Sequence, residues 1–338
     1  HRISHVPHIL CCFREQDSRN PAGASGDGLL AVQAHFDRIG VKAEVVNQSG
    51  QPFLYKTNYA IEGRPLVSII IPNKDQAVSL YRCIDSLLQY TSWSNFEILI
   101  VENNSTETET WELYELLRKK DDRIRILTYQ DKFNYARINN FAAAQARGEY
   151  LLFLNNDIRI VTTNWIEEML MFAQQERVGA VGCALYYPDG HFQHAGILIG
   201  GKWHAIHYGY HFPRNTPQLR TVRQVSAVTG ACLMLRKKLF EQLGGFNTAL
   251  PIAFNDVDLC LEAGKAGYVN LCTPFTRHVH YESLSRGNAS AEFLSPALTE
   301  ADYFEQKWQP VLEKPDPCYN PNYNPDNGNW ELSLKPIC

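Results

Sequence analysis

The sequence predicts an α/β protein built on a mostly parallel central sheet with helices on both faces. Three observations point there. From Leu66 onward, short β-branched runs alternate with helically spaced segments. The runs read as continuously apolar rather than alternating, as strands covered on both faces do. And 338 residues, 45% of them hydrophobic and 20% charged, are enough to bury a large core. In order, "PLVSIIIPNKD" is a strand closed by Pro72, "LYRCIDSLLQY" a helix, and "FEILIVENNS" a second strand. Thr106 with Glu109 has the spacing of a capping box for a helix reaching about Lys120. "RIRILTY" is a third strand, "NYARINNFAAAQA" a helix stopped near Gly148, and "YLLFL" a fourth strand. The second half changes character: "GAVGCALYYPDGHFQHAGILIGG" reads as strand, turn at Asp189-Gly190 and strand, and "VSAVTGACLMLRKKLFEQLGGF" as a strand and a short helix ended by Gly244-Gly245. Asp256 and Asp258 then open a helix, and His278 and His280 stand at strand spacing, with Glu282 two residues on.

Polar residues gather where these strands end: Asn73 to Asp75, Glu102 to Asn104, and Asn155 to Asp157 in "LLFLNNDIRI". Each group alone is what a turn needs. Three converging on the carboxyl edge of one sheet read as a ligand site. No G-x-G-x-x-G follows the first strand and no G-x-x-x-x-G-K-[ST] occurs, so a bound diphosphate needs another source of positive charge, such as a divalent metal on Asp157. Imidazole beside carboxylate suits an Mn²⁺ or Mg²⁺ site, which makes a histidine at this strand end, His278 or His280, a candidate ligand. Asp256 and Asp258 both gain from the helix dipole; two residues apart they point different ways, so one caps the helix while the other faces a substrate.

The segments "VSIIIPNKD", "ILIVENNSTETET", "GEYLLFLNND", "VTGACLMLRKKLFEQLGGFN", "NDVDLCLEAGKAGY" and "HVHYESLSRG" occur in the order and spacing of the family-2 inverting glycosyltransferases. The resemblance runs from about Pro65 to Trp308 and is nearest to bacterial cell-surface polysaccharide members of the O-antigen and rhamnan type. It implies a GT-A fold, that is, a Rossmann-like mostly parallel sheet with a small antiparallel extension. It also implies a nucleotide-diphospho-sugar at the strand ends and Mn²⁺ or Mg²⁺ held by a D-x-D-like motif, here "NND" with Asn155 in place of the first carboxylate. By position Pro72, Asn73, Asp75, Glu102 and Asn103 resemble the nucleoside pocket, Glu102 standing where the family more often has Asp. Asn134 and Asn140 would flank the base, and Asn155 and Asn156 join the donor-binding residues. Asp157 and His280 would hold the metal. Gln193, His194, Thr229 and Gly230 resemble residues near the sugar, and Asp256 in "NDVD" resembles the general base, with Asp258 the other candidate. Inversion needs one carboxylate to deprotonate the acceptor hydroxyl and a metal to stabilise the departing diphosphate. The resemblance allows UDP- or dTDP-linked donors, tilting to dTDP-rhamnose, and a glycan or lipid-linked glycan acceptor.

A net charge of −4 and a pI near 6.3 offer no field for nucleic acid, and no apolar run approaches the roughly 20 residues of a membrane span. Nine cysteines without C-x-x-C spacing, several inside apolar segments, point to a reducing cytoplasm, with the inner face of the cell membrane as a working place. The sequons at Asn47, Asn103 and Asn288 are read as unglycosylated. Residues 1–64 read as an extension from a preceding domain: "HVPHILCCFR" resembles the close of such a domain in tandem members, and "GLLAVQAHFDRIG" is a helix after a Gly-rich turn, followed by the strand "KAEVV". The chain is therefore expected to be the last domain of a multidomain polysaccharide-assembly enzyme. Residues 65–310 form the transferase domain. Residues 311–338 form a Pro/Asn-rich tail that wraps the domain or, through its Tyr and Trp, walls an acceptor groove. A nucleotide- or carbohydrate-binding domain without catalysis and a nucleotidyltransferase remain as rival readings.

Overall fold

The computed structural model describes residues 21–48, 51–281, 291–326 and 328–333. The segment "HVPHILCCFR", Glu282, most of "HYESLSRG" and Asn288 lie outside them. The chain opens with helix α1 (Pro21–Ile39) and the hairpin β1 (Ala43–Asn47) and β2 (Tyr55–Tyr59). The alternating unit follows: β3 (Val67–Asn73), α2 (Ala77–Tyr90), β4 (Phe96–Glu102), α3 (Thr108–Lys120), β5 (Ile124–Thr128), α4 (Tyr135–Gln145) and β6 (Tyr150–Leu154). Then come β7 (Ile158–Arg159), α5 (Trp165–Ala173), β8 (Val178–Tyr186), β9 (Phe192–His194), the small hairpin β10 (Ile197–Ile199) and β11 (Ala205–His207), and β12 (Arg223–Val225). The chain continues through β13 (Cys232–Arg236), α6 (Lys237–Gln242), α7 (Asn255–Lys265), β14 (Val269–His280) and α8 (Ala291–Leu312).

The main sheet runs β12-β14-β8-β13-β6-β3-β4-β5, with β7 beside β14 and β9 beside β8. β5, β4, β3 and β6 are mutually parallel, as are β8 and β14; β13 runs antiparallel between the two groups and joins them. The period of two in each strand sorts the core onto two faces. Ile69, Ile71, Leu152 and Leu154 meet Leu80, Ile84 and Leu87 of α2 and Trp165 and Met169 of α5. Ile70, Leu99, Leu151 and Phe153 meet Ile138 and Ala142 of α4, Leu259 of α7, and Phe304 and Trp308 of α8. Cys83, Cys183, Cys232, Cys260 and Cys272 are buried as free thiols in this core, and burial pushes the Cys83 and Cys260 thiols well up.

Two local expectations fail for identifiable reasons. The Gly-rich stretch before Gly28 is not a turn but the first part of α1; Tyr55 of the hairpin donates its hydroxyl to Ser25 O at 2.9 Å and holds it there. Nor does the capping box form: no side chain caps α3 from its own chain segment. Instead the Asp75 carboxylate accepts the backbone N–H groups of Thr106 (2.7 Å) and Glu107 (2.9 Å), so the orphan donors of α3 are satisfied from the end of β3. Helix α8 and the strand β2 are unannounced by the periodicity. No helix among the described residues is long and apolar enough to cross a membrane.

Candidate active site

A cavity of about 1040 Å³ opens where β3, β4 and β6 end, and it extends under the second half of the chain to the start of α7 and the β10–β11 hairpin. On its first side β3 delivers Pro72, Asn73 and Asp75. Asn73 is buried and fully engaged: its Nδ2 donates to Tyr114 Oη (2.8 Å) and Asp75 O (3.0 Å), and its Oδ1 accepts from Asn156 Nδ2 (2.6 Å). That last bond ties the ends of β3 and β6 together. Asn103 Nδ2 donates to Tyr129 O (3.0 Å) and Asp131 O (2.9 Å), fixing the loop that carries Phe133 to the cavity. Asp75 and Gln76 have φ of 52° and 58°, left-handed backbone that costs non-glycine residues energy and gathers at sites where surrounding structure enforces it.

Asp157 and His280 are brought together by strand pairing. β7 runs antiparallel to β14 with Ile158 opposite His280, and Tyr281 N donates to Asp157 O at 3.0 Å. His280 Nε2 therefore lies 3.0 Å from Asp157 Oδ1, and its Nδ1 lies 2.5 Å from Gln193 Oε1. Both residues are buried, and His280 forms part of the cavity wall.

The opposite wall is built around Asp256. Its Oδ2 accepts from Gly230 N at 2.7 Å and its Oδ1 from its own neighbour Val257 N at 2.8 Å, which orients a half-exposed carboxylate into the cavity. Gly230 is closely approached: a Cβ there would stand 3.0 Å from Tyr135 Oη and 3.4 Å from Asp256 Cβ, tight enough that the Tyr135 hydroxyl would have to give by a few tenths of an ångström. The residue before this helix, Phe254, has φ 59° and is held by stacking on Phe304, ring centroids 4.6 Å apart. Asp258 points the other way, buried against Trp308 Nε1 (2.8 Å) and Lys307 Nζ (2.7 Å).

Of the residues singled out in the sequence, Pro72, Asn73, Asp75, Asn103, Asn155, Asn156, Gln193, Thr229, Gly230, Asp256 and His280 line the one cavity. Asp157 stands directly behind His280. His194 is fully buried behind the wall, its Nδ1 3.0 Å from His207 Nδ1, and burial, with the charges of His207 and His280, holds its pKa well below the ordinary value. Besides Asp157, His194 and Asp258, three more are not brought to the cavity surface. The Glu102 carboxylate is consumed by Ser105 N (2.6 Å), Ser105 Oγ (2.5 Å) and Tyr114 Oη (2.6 Å). Asn134 caps α4, accepting from Arg137 N at 2.9 Å. Asn140 clasps Phe246 through both its N (2.9 Å) and its O (2.8 Å). The cavity also recruits Tyr135, Trp203, His207, Tyr210 and Phe254, which no spacing pattern marks because they come from the starts of α4 and α7 and from the β10–β11 hairpin and the loop after it.

Over residues 68–244, just over half its length, the chain matches the profile of glycosyl transferase family 2. It belongs to that family. It is 40% identical over 334 residues to the O-antigen biosynthesis protein RfbC of Myxococcus xanthus, covering 95% of this chain and 25% of that protein. It is 33% identical over 132 residues to N-acetylglucosaminyl-diphospho-decaprenol L-rhamnosyltransferase of Mycobacterium tuberculosis, covering 35% of this chain and 42% of that one. The chain spans only 38% and 25% of the lengths of the two relatives that match nearly all of it. In fold it is similar to the mannosyltransferase of Pyrobaculum calidifontis solved with GDP-Man and Mn²⁺, at TM-score 0.55 and 16% identity over 89% of this chain and 77% of that one. The family-2 transferase domain is thus of GT-A type.

Proposed function

We propose that this family-2 domain transfers a sugar, with inversion, from a nucleotide-diphospho-sugar to a hydroxyl of a growing cell-surface glycan. The observation that carries the reading is the Asp256 carboxylate, fixed on Gly230 N–H and facing the same cavity as the Asn73–Asn156 pair and His280. Asp256 takes the proton of the acceptor hydroxyl as its oxygen attacks the anomeric carbon, and the nucleoside diphosphate leaves toward the ends of β3 and β6. The amide pair Asn73–Asn156 and the backbone at Asp75 and Asn103 orient the nucleotide.

The Asp157–His280 pair fits a divalent ion by donor chemistry: a carboxylate oxygen and an imidazole nitrogen lie in contact beside the cavity. Among the described residues no group of three or more such side chains assembles. That suits an ion which keeps water and substrate phosphates in its remaining positions. Bound there, Mn²⁺ or Mg²⁺ would offset the charge of the departing diphosphate. We read the donor as UDP- or dTDP-linked, with the name of the rhamnosyltransferase relative favouring a rhamnosyl donor, and the acceptor as a glycan or lipid-linked glycan. Partial coverage of the longer relatives supports a place among other domains in a larger polysaccharide-assembly enzyme, with residues 65–310 as the transferase unit.

The first expected outcome is release of nucleoside diphosphate when the chain is incubated with a panel of UDP- and dTDP-sugars, an acceptor glycoside and Mn²⁺. Pyrophosphate release instead would identify a nucleotidyltransferase, and nucleotide binding without turnover a binding domain.

A further inference from the structure

The far rim of the cavity carries two aromatic side chains that remain largely exposed. Trp203 is 61% exposed and Tyr210 46% exposed, yet both line the same cavity as Asp256. They sit on and just after the β10–β11 hairpin. Its strand β10 is bridged to Ala227 through Ile197, three residues before Gly230, whose N–H holds Asp256. The rim is therefore tied to the base through a short run of backbone, while the donor-side residues come from the ends of β3 and β6.

The hairpin does not hang free. The C-terminal segment lines the cavity nowhere among the described residues; it grips the hairpin from behind. Asp316 Oδ2 accepts Ile199 N at 2.7 Å and Asp326 Oδ1 accepts Lys202 N at 3.0 Å. Gly201, at φ 63°, lets Asp326 approach: a Cβ there would stand 2.7 Å from its Oδ1. Trp330 donates its Nε1 to Tyr208 Oη and packs on that ring at 5.1 Å and on Phe212 at 5.0 Å. Tyr187 Oη and Tyr210 Oη lie 3.0 Å apart. Two large rings are thus exposed on and just after a hairpin fixed by the buried carboxylate of Asp316, the exposed one of Asp326 and an aromatic cluster. Large rings with polar tips, held rigid at a wet rim, bind ligands that present an apolar face edged with hydroxyls. A pyranose ring has that form.

We propose that Trp203 and Tyr210 form the stacking platform for the acceptor sugar, and that Asp316, Asp326 and Trp330 of the C-terminal segment are the clamp that positions it. The proposal rests on the glycosyl-transfer reading for the word acceptor, but its test is binding rather than turnover. Saturation-transfer NMR of the full chain with methyl α-L-rhamnopyranoside and methyl N-acetyl-β-D-glucosaminide should show transfer to the C–H face of at least one glycoside. Trp203→Ala should reduce that transfer at least about fivefold, taking a lost stacking contact as worth about 1 kcal/mol or more, and Trp203→Phe should restore most of it. Asp326→Ala, which leaves both rings in place, should reduce it in the same direction. Circular dichroism confirms that each variant is folded. No transfer to either glycoside in the unsubstituted chain, or undiminished transfer in a Trp203→Ala/Tyr210→Ala double variant, overturns the platform. Undiminished transfer in Asp326→Ala overturns the clamp. A chain that binds glycosides through Trp203 but releases no nucleoside diphosphate from any donor would overturn the transferase reading and leave the platform standing.

Discussion

Asp256 and Asp258 stand two residues apart on one helix, and their surroundings assign them different work. Asp256 accepts two backbone N–H groups and faces the cavity; Asp258 is buried against Lys307 and Trp308. Asp256→Asn keeps shape but cannot take a proton, so kcat should fall roughly 10²–10⁴-fold with nucleotide affinity unchanged, as steady-state kinetics and a nucleotide titration would show. Asp258→Asn should instead lower stability by about 1–3 kcal/mol, through its weakened bond to charged Lys307, with activity per folded molecule retained. Activity lost at Asp258 and kept at Asp256 would exchange the two roles. A second residue-scale prediction concerns protons. Burial holds His278 at a pKa of about 3, packed on Trp165 and contacted by Val161 N at 3.3 Å. Below the unfolded value of about 6.5 the unfolded chain binds a proton that the folded chain does not, so stability rises with pH between about 3 and 6.5 and levels off above, by up to about 1.4 kcal/mol per pH unit. Urea unfolding at pH 5.5, 6.5 and 7.5 should show this slope, and His278→Gln should reduce it; an equal slope in that variant would remove His278 as its source.

At the scale of elements, helix α8 braces the segment that carries Asp256. Glu300, Phe304, Lys307 and Trp308 recur at helical spacing on one face. Glu300 Oε2 accepts Ile252 N (3.0 Å) and Ala253 N (2.8 Å), Phe304 stacks on Phe254, and the other two bind Asp258. They grip the chain on both sides of Asp256. Burial raises the Glu300 pKa, and a single oxygen takes both bonds, so Glu300→Gln should be close to neutral. Glu300→Leu orphans two buried donors and should cost about 1–3 kcal/mol and lower kcat more than nucleotide affinity. Equal stability of the two variants by thermal melting would count against the brace. This brace is what the sequence could not disclose. The strands from Val67 to Leu154 were legible because burial on both faces writes unbroken apolar runs, and the Asp157–His280 meeting was foreshadowed by position. By contrast, the sequence could not show that Glu102 and Asn140 stand off the cavity surface, because their partners, Ser105 with Tyr114 and Phe246, are defined only once loops close. Trp203 and Tyr210 carried no periodic signal for the same reason.

Across the whole molecule, the N-terminal hairpin is part of the same folded body. Lys56 of β2 pairs with buried Glu168 of α5, and Tyr59 meets Phe172 edge-on at 5.7 Å. Lys56→Met should strand the Glu168 charge and cost about 3 kcal/mol in chemical denaturation; a cost near zero would mean that the hairpin is an independent appendage. The five buried thiols have a consequence of a different kind. A thiol sealed in the core reacts with an alkylating reagent only when its surroundings open, so the labelling rate of each one clocks the opening of its own neighbourhood. Cys83 sits on the buried face of α2 and Cys260 within α7, four residues past Asp256, its Sγ 3.8 Å from Val228 O. Mass-resolved alkylation under native conditions therefore timestamps the β3–β6 side and the α7 side of the cavity separately, from cysteines already present in the chain.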